Sequence, residues 1–218
     1  MNDRKTIAAV LPFGLWIALM TLLPATAGAY ALRSGVVAVA LLFAWRVFGA
    51  RWRMSFDAVA WGLAAGFAVA AFWIFPESCD WYRRWVLWPV GEIPPAAGPS
   101  PYDPATCGWA LTVAKLAGSA FVVAPAEELF FRSFLYRRLQ SRNWLDVPMA
   151  SFDASAFAWT VGLFCLEHPP RFVVAALCGA LYGLLAMRKG IGAAIVAHVS
   201  TNLLLALHVI WRGEWAFW

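Results

Sequence analysis

Charge is what this chain has least of. Asp, Glu, Lys and Arg make up 13% of its 218 residues, and hydrophobic residues make up 62%, where soluble domains carry about 25% and roughly 45–50%. A water-soluble fold of this size has too little interior to hide so much apolar surface. A soluble domain is therefore excluded and a lipid solvent is required. Histidine is scarce as well, at three. There is no His-Glu-x-x-His run, and no serine elbow or cysteine–histidine nucleophile arrangement stands out, so the common zinc, serine and cysteine hydrolase signatures are missing. No long repeat or low-complexity tract is present. Of the four cysteines, Cys165 and Cys178 fall in apolar runs and read as small buried hydrophobes. Cys79 and Cys107 bracket a polar loop, and could pair if that loop is extracytoplasmic.

What is abundant points to a bilayer. The 14 Trp suit membrane interfaces, where the indole ring has one wet and one apolar side. A spanning helix needs about 20 mostly apolar residues, with a range of about 17–25. Segments 7–23, 30–47, 58–75, 106–131, 155–168, 172–187 and 190–211 meet or approach this. The expected fold is all-α: a polytopic bundle of about seven spans, one integral membrane domain over 1–218, enclosing a polar cavity. Arg4 and Lys5 before the first apolar run resemble a signal peptide. That run is longer than the usual ~7–15 residues, and further spans follow at once, so an uncleaved first helix is the better reading.

The net charge of +5 raises nucleic acid as a partner, but the cations sit in short clusters between apolar runs and read as topology signals. With the N-terminus in the cytoplasm, ten Lys and Arg fall at inner ends and five at outer ends. Lys115 then lies toward the outer side and can snorkel. Segment 76–104 holds seven prolines together with Trp81, Trp85 and Trp88. It reads as an outer loop, with a short surface helix around 80–88. Gly62/Gly66 and Gly179/Gly183 are small-xxx-small pairs, taken as packing sites only.

Ionisable groups inside a membrane are costly and need a reason. Glu128 and Arg132 are four apart, so they share a helix face and can pair. Glu127 is about 100° further round, which leaves a carboxylate in a low dielectric, a candidate general base. Pro125 just before it disrupts the helix and suits a polar pocket better than lipid. The plainer reading is a structural charge cluster. His168 ends the fifth segment before Pro169 and Pro170; it is either a helix cap or a functional imidazole. Glu167 beside it receives no role. His198 and Asn202 share one face of the last segment, as two donors for an oxyanion or as interhelical glue. Three separate spans bringing complementary polar groups favour a site.

These residues resemble the CAAX-processing and bacteriocin-processing (CPBP, Abi-type) intramembrane protease family. Glu127-Glu128-x-x-x-Arg132 is similar to its first motif, Phe164-x-x-x-His168 to its second and His198-x-x-x-Asn202 to its third. The likeness runs from about Phe121 to Leu207, within a catalytic half of about 105–211. It implies a helical bundle around a conical cavity, with water activated by Glu127 and His168. His198 and Asn202 would form the oxyanion hole, and Glu128 and Arg132 would support. Leu177, Gly179 and Tyr182 also resemble a bacterial branch linked to exosortase sorting systems. The resemblance thus implies a CAAX prenyl protease-like endopeptidase in a bacterial inner membrane, with a peptide or protein substrate and no cofactor. Two alternatives stay open. One is a zinc protease with Glu127, His168 and His198 as ligands. The other is a non-catalytic scaffold or transport bundle. At ~1.5 Å per residue, Glu127 lies about 16 Å from Arg138, whereas His168 lies about 20 Å from Ser155. The fifth span must therefore tilt or begin deep for the motifs to meet.

Overall fold

The computed structural model describes residues 2–48, 54–75, 79, 81, 99–168, 171–215 and 218. They form α1 (Asn2–Leu22), α2 (Ala27–Phe48), α3 (Phe56–Ile74), α4 (Trp109–Gln140), α5 (Ala154–Cys165), α6 (Phe172–Lys189) and α7 (Ile191–Arg212). No strand occurs among the described residues. Six of the helices are long and apolar enough to cross a membrane, and α5 is a shorter apolar one. The protein is an all-α polytopic membrane bundle. Phe56, Val39, Leu42 and Phe67 lie open on its outer faces, as lipid-facing side chains must. The expected surface helix around 80–88 lies outside the described residues, Trp81 excepted, as do Arg51, Arg53, Arg83 and Arg84.

α1 is packed into the bundle. Ala8, Ala9, Phe13 and Trp16 are buried, Phe13 meets Phe130 and Phe131 of α4 at 4.8 and 5.4 Å between centroids, and Trp144 donates its indole N–H to Thr6 at 3.0 Å. Cys79 and Cys107 are both free thiols.

The fifth segment departs from its expected bounds. α5 has 12 residues, about 18 Å of helix, too short for a ~30 Å hydrocarbon core. The chain after α4 folds back along it. Tyr136 Oη donates to Ser151 O at 2.8 Å and accepts from Asp153 N at 3.1 Å. Asp153 then caps α5 by accepting from Ala156 N at 2.7 Å. α5 therefore begins level with Tyr136, about 14 Å from Glu127 along α4. Its helix stops at Cys165, leaving His168 in the turn beyond it.

α3 and α7 run side by side. A Cβ on Gly62 would fall 2.8 Å from Ala193 O, and one on Gly66 would fall 2.7 Å from Ala197 O. The bare backbones let Thr201 Oγ1 reach Gly66 O at 3.1 Å. α6 and α7 are joined by one residue, Gly190, at φ +88°, ψ 165°, a conformation open in practice only to glycine. At that end Lys189 pairs with Asp57 of α3 at 2.8 Å. These contacts put His198 of α7 at a fixed depth against α3, α4 and α6. Substituting Gly66→Ala sets a side chain against a backbone carbonyl, and should lower stability by about 1–3 kcal/mol. Thermal unfolding of the purified variant in detergent checks this; an unchanged midpoint would show that α3 and α7 are not in this close contact.

Candidate active site

α4 is not a regular α-helix where it carries the acids. Pro125 has no N–H to give to the preceding turn. The chain responds with wider turns at Ser119–Val123 and Leu129–Leu135, on both sides of Ala124–Glu128. In the first, Ala124 N–H reaches back five residues to Ser119 O. Such π-type turns gather at functional positions. The Ser119 carbonyl also accepts from Asn202 Nδ2 of α7 at 3.0 Å.

Glu127 and Glu128 are both buried, at 6% and 0% exposure, with Arg132 at 3% and His198 at 4%. The four-residue spacing of Glu128 and Arg132 forms the expected pair, Oε1 to Nη1 at 3.0 Å. The same oxygen accepts from His198 Nδ1 at 2.9 Å. Glu128 is thus held by two partners from two helices, the Arg132 guanidinium and the His198 imidazole. Glu127 is not engaged in this way. Its Oε2 stands 3.8 Å from His198 Nε2, too far for a hydrogen bond. Buried Oε2 atoms on both glutamates lack a hydrogen-bond partner among the described residues. The face argument made from spacing, one acid locked and the other left over, matches this arrangement.

Arg132 is itself fixed on all sides. Nη2 donates to Gly179 O at 3.3 Å, and the guanidinium lies 4.3 Å from the Phe164 ring centroid and 5.7 Å from that of Tyr182. A Cβ on Gly179 would press on Phe164 at 3.1 Å, so Gly179 does more than pack helices. Tyr182 stacks on the His198 ring, 4.9 Å between centroids and 28° between planes. Its hydroxyl donates to Thr201 Oγ1 at 2.7 Å. Trp73 of α3 meets His168 edge-on at 5.5 Å. Thr201 and Trp73 carry no motif signal of their own, and the motif likeness that includes Tyr182 gave it no role. Only their contact with an imidazole, or with the residue that holds one, marks them.

His168 and Asn202 sit at the margin of the cluster. His168 Nδ1 bonds to Phe164 O at 3.1 Å, and its ring lies 4.9 Å from Phe164, which in turn lies 6.0 Å from His198. Neither His168 nor Asn202 hydrogen-bonds to Glu127 among the described residues. Asn202 spends one N–H on Ser119 and keeps a second. Ser200 turns away and donates to Val196 O at 2.7 Å. Among the described residues no three of His, Cys, Asp and Glu are grouped so as to hold a metal ion.

Beside the cluster lies a cavity of about 440 Å³, walled by α2, α4 and α7. Ala38, Leu41, Leu42, Phe121, Ile195 and Val199 line it, together with Pro125, two residues before Glu127. Its walls are apolar.

Residues 109–204 match a family model described as type II CAAX prenyl endopeptidase Rce1-like. No curated protein and no solved structure is similar enough to match. The matched stretch holds Glu127, Glu128, Arg132, His168, His198 and Asn202. It is an Rce1-like segment of the CAAX protease family, and the protein that carries it is a membrane-embedded peptidase.

Proposed function

We propose that this protein cleaves a peptide bond within the membrane by using Glu127 to deprotonate a water. The observation that carries this reading is the unequal treatment of two adjacent buried acids. Glu128 is bound by Arg132 and His198, and the Glu127 Oε2 is left without a hydrogen bond 3.8 Å from an imidazole nitrogen. A buried carboxylate without a partner is a strong proton acceptor.

The water's proton passes to Glu127 while its oxygen bonds to the carbonyl carbon of the substrate. The carbonyl electron pair becomes an oxyanion. His168 assists: with its Nδ1 bound to the Phe164 carbonyl, Nε2 keeps the lone pair and orients the water by accepting a hydrogen bond from its other O–H, which stays on the attacking oxygen. His198 Nε2 and the second N–H of Asn202 donate to the oxyanion. Because His198 Nδ1 is held by Glu128, Nε2 can donate only from the imidazolium. On collapse, the proton on Glu127 goes to the leaving amine. Glu128 and Arg132 support the site by holding His198.

The substrate is a peptide or protein whose apolar part enters the cavity between α2, α4 and α7. In this reading the enzyme sits in a bacterial inner membrane and acts on a protein handled by an exosortase-type sorting system, as the resemblance implies, with its N-terminus cytoplasmic, as the excess of Lys and Arg at the inner ends favours. The reaction proceeds without a metal.

Three outcomes test this. Glu127→Gln should lower turnover by at least ~10²-fold with unchanged unfolding behaviour, whereas Glu128→Gln should cost about 3–5 kcal/mol of stability, because it strands two buried cations. Cleavage by reconstituted protein, with thermal unfolding of both variants, separates the roles; full turnover in Glu127→Gln would end the assignment. Ile195→Trp, which fills the cavity, should reduce kcat/KM and leave the unfolding temperature within a few degrees of the parent. Chelation should leave cleavage intact. Loss of cleavage on chelation, restored by zinc, would instead make Glu127, His168 and His198 metal ligands.

A further inference from the structure

A second set of charges, one buried and one half-buried, lies where α2 and α4 begin. Arg33 of α2 is 9% exposed. Its guanidinium carbon lies 4.1 Å from the Trp16 ring centroid and 5.1 Å from that of Tyr30. Lys115 of α4 places its ammonium 4.1 Å from the same Tyr30 ring, 4.7 Å from Tyr102 and 5.8 Å from Trp218. Two cations from two helices thus face one ring. Arg33 Nε is buried without a hydrogen-bond partner.

Neither cation has a carboxylate partner among the described residues. Nearby acids are engaged elsewhere. Asp103 accepts from Ala105 N at 2.8 Å. Glu214 takes His208 Nε2 at 3.0 Å and Arg212 at 3.4 Å, and the His208 hydrogen bond holds its carboxyl below the usual range. Ring faces attract cations but offset only part of the desolvation of two like charges that also repel one another. The cluster at the other site has acids to balance its cations; this one does not.

Its position names the missing anion. Gly118 lies against Tyr30 and Ser34 of α2, so α2 and α4 run parallel, with both N-termini at the same membrane face. Helical side chains lean toward the N-terminus, so Arg33 and Lys115 both lean toward that face. Each stands six residues into its helix, about 9 Å, within reach of the headgroup layer for long basic side chains. Tyr30, Tyr102 and Trp218 add the amphipathic rings of a membrane interface. We infer that Arg33 and Lys115 form a binding site for the phosphate of an anionic lipid headgroup, walled by Trp16, Tyr30, Tyr102 and Trp218.

The test uses the full chain purified in detergent and stripped of lipid. Phosphatidylglycerol should raise the unfolding temperature saturably, and Arg33→Gln and Lys115→Gln should each weaken its apparent affinity about tenfold, the loss of one charged contact. Without lipid, Lys115→Gln should unfold no lower than the parent, since it removes a half-buried cation that has no carboxylate partner. That arm separates a lost ligand from a damaged fold. Native mass spectrometry should retain one phosphatidylglycerol on the parent and none on Arg33→Gln. Equal lipid response in parent and variants would overturn the site. Stabilisation by inorganic phosphate equal to that by the lipid would overturn the lipid as its source.

Discussion

One oxygen, Oε1 of Glu128, holds the centre of this molecule together. It accepts from Arg132 of its own helix and from His198 of α7, while Arg132 reaches on to the Gly179 carbonyl of α6. Three helices are tied through a single buried carboxylate. In a bilayer no water can substitute for these bonds. Opening any of them would leave a charge or a dipole stranded in a medium that cannot solvate it. The arrangement also decides what Glu127 is. With Arg132 and one face of His198 committed to its neighbour, the second acid stands close to the other imidazole nitrogen and is bonded to neither.

Departures from regular helix geometry serve the same centre. Pro125 interrupts the ladder of α4, and wider turns take up the disruption on either side of the acids. A carbonyl in the first of these turns is met by Asn202 from α7. α5 is cut short at both ends, by a folded-back loop anchored on Tyr136 and by the turn that carries His168. Bare glycine backbones bring α3 against α7, and Thr201, bonded to Gly66, steadies the tyrosine that stacks on His198. Each of these features sets the position of an imidazole or an acid.

The two charged clusters are built on opposite principles. Around Glu128, two acids meet a guanidinium and an imidazole drawn from two helices. Around Tyr30, two bases converge on aromatic faces with no acid bonded to either. Lys115, expected to snorkel toward the outer side, is half-buried and lies against three rings. The first cluster is self-sufficient, and the second is completed only by something from outside the chain.

Much could be read from residue order alone. The excess of apolar over charged residues required a membrane bundle, since no soluble fold hides that surface. Four-residue spacing put Glu128 with Arg132 on one face and left Glu127 over, because helix periodicity is a local property. The glycine pairs marked close helix contacts for the same reason. Partners between helices are not local. That His198 shares the Glu128 oxygen, that Asn202 meets the Ser119 carbonyl, and that Tyr182, Thr201 and Trp73 frame the imidazoles follows only from how α3, α5, α6 and α7 dock around α4. The depth of His168 depends on where α5 begins, which a hydrogen bond between Tyr136 and Ser151, fifteen positions apart in the chain, decides. Composition and periodicity act within one helix; the site exists only where separate helices meet.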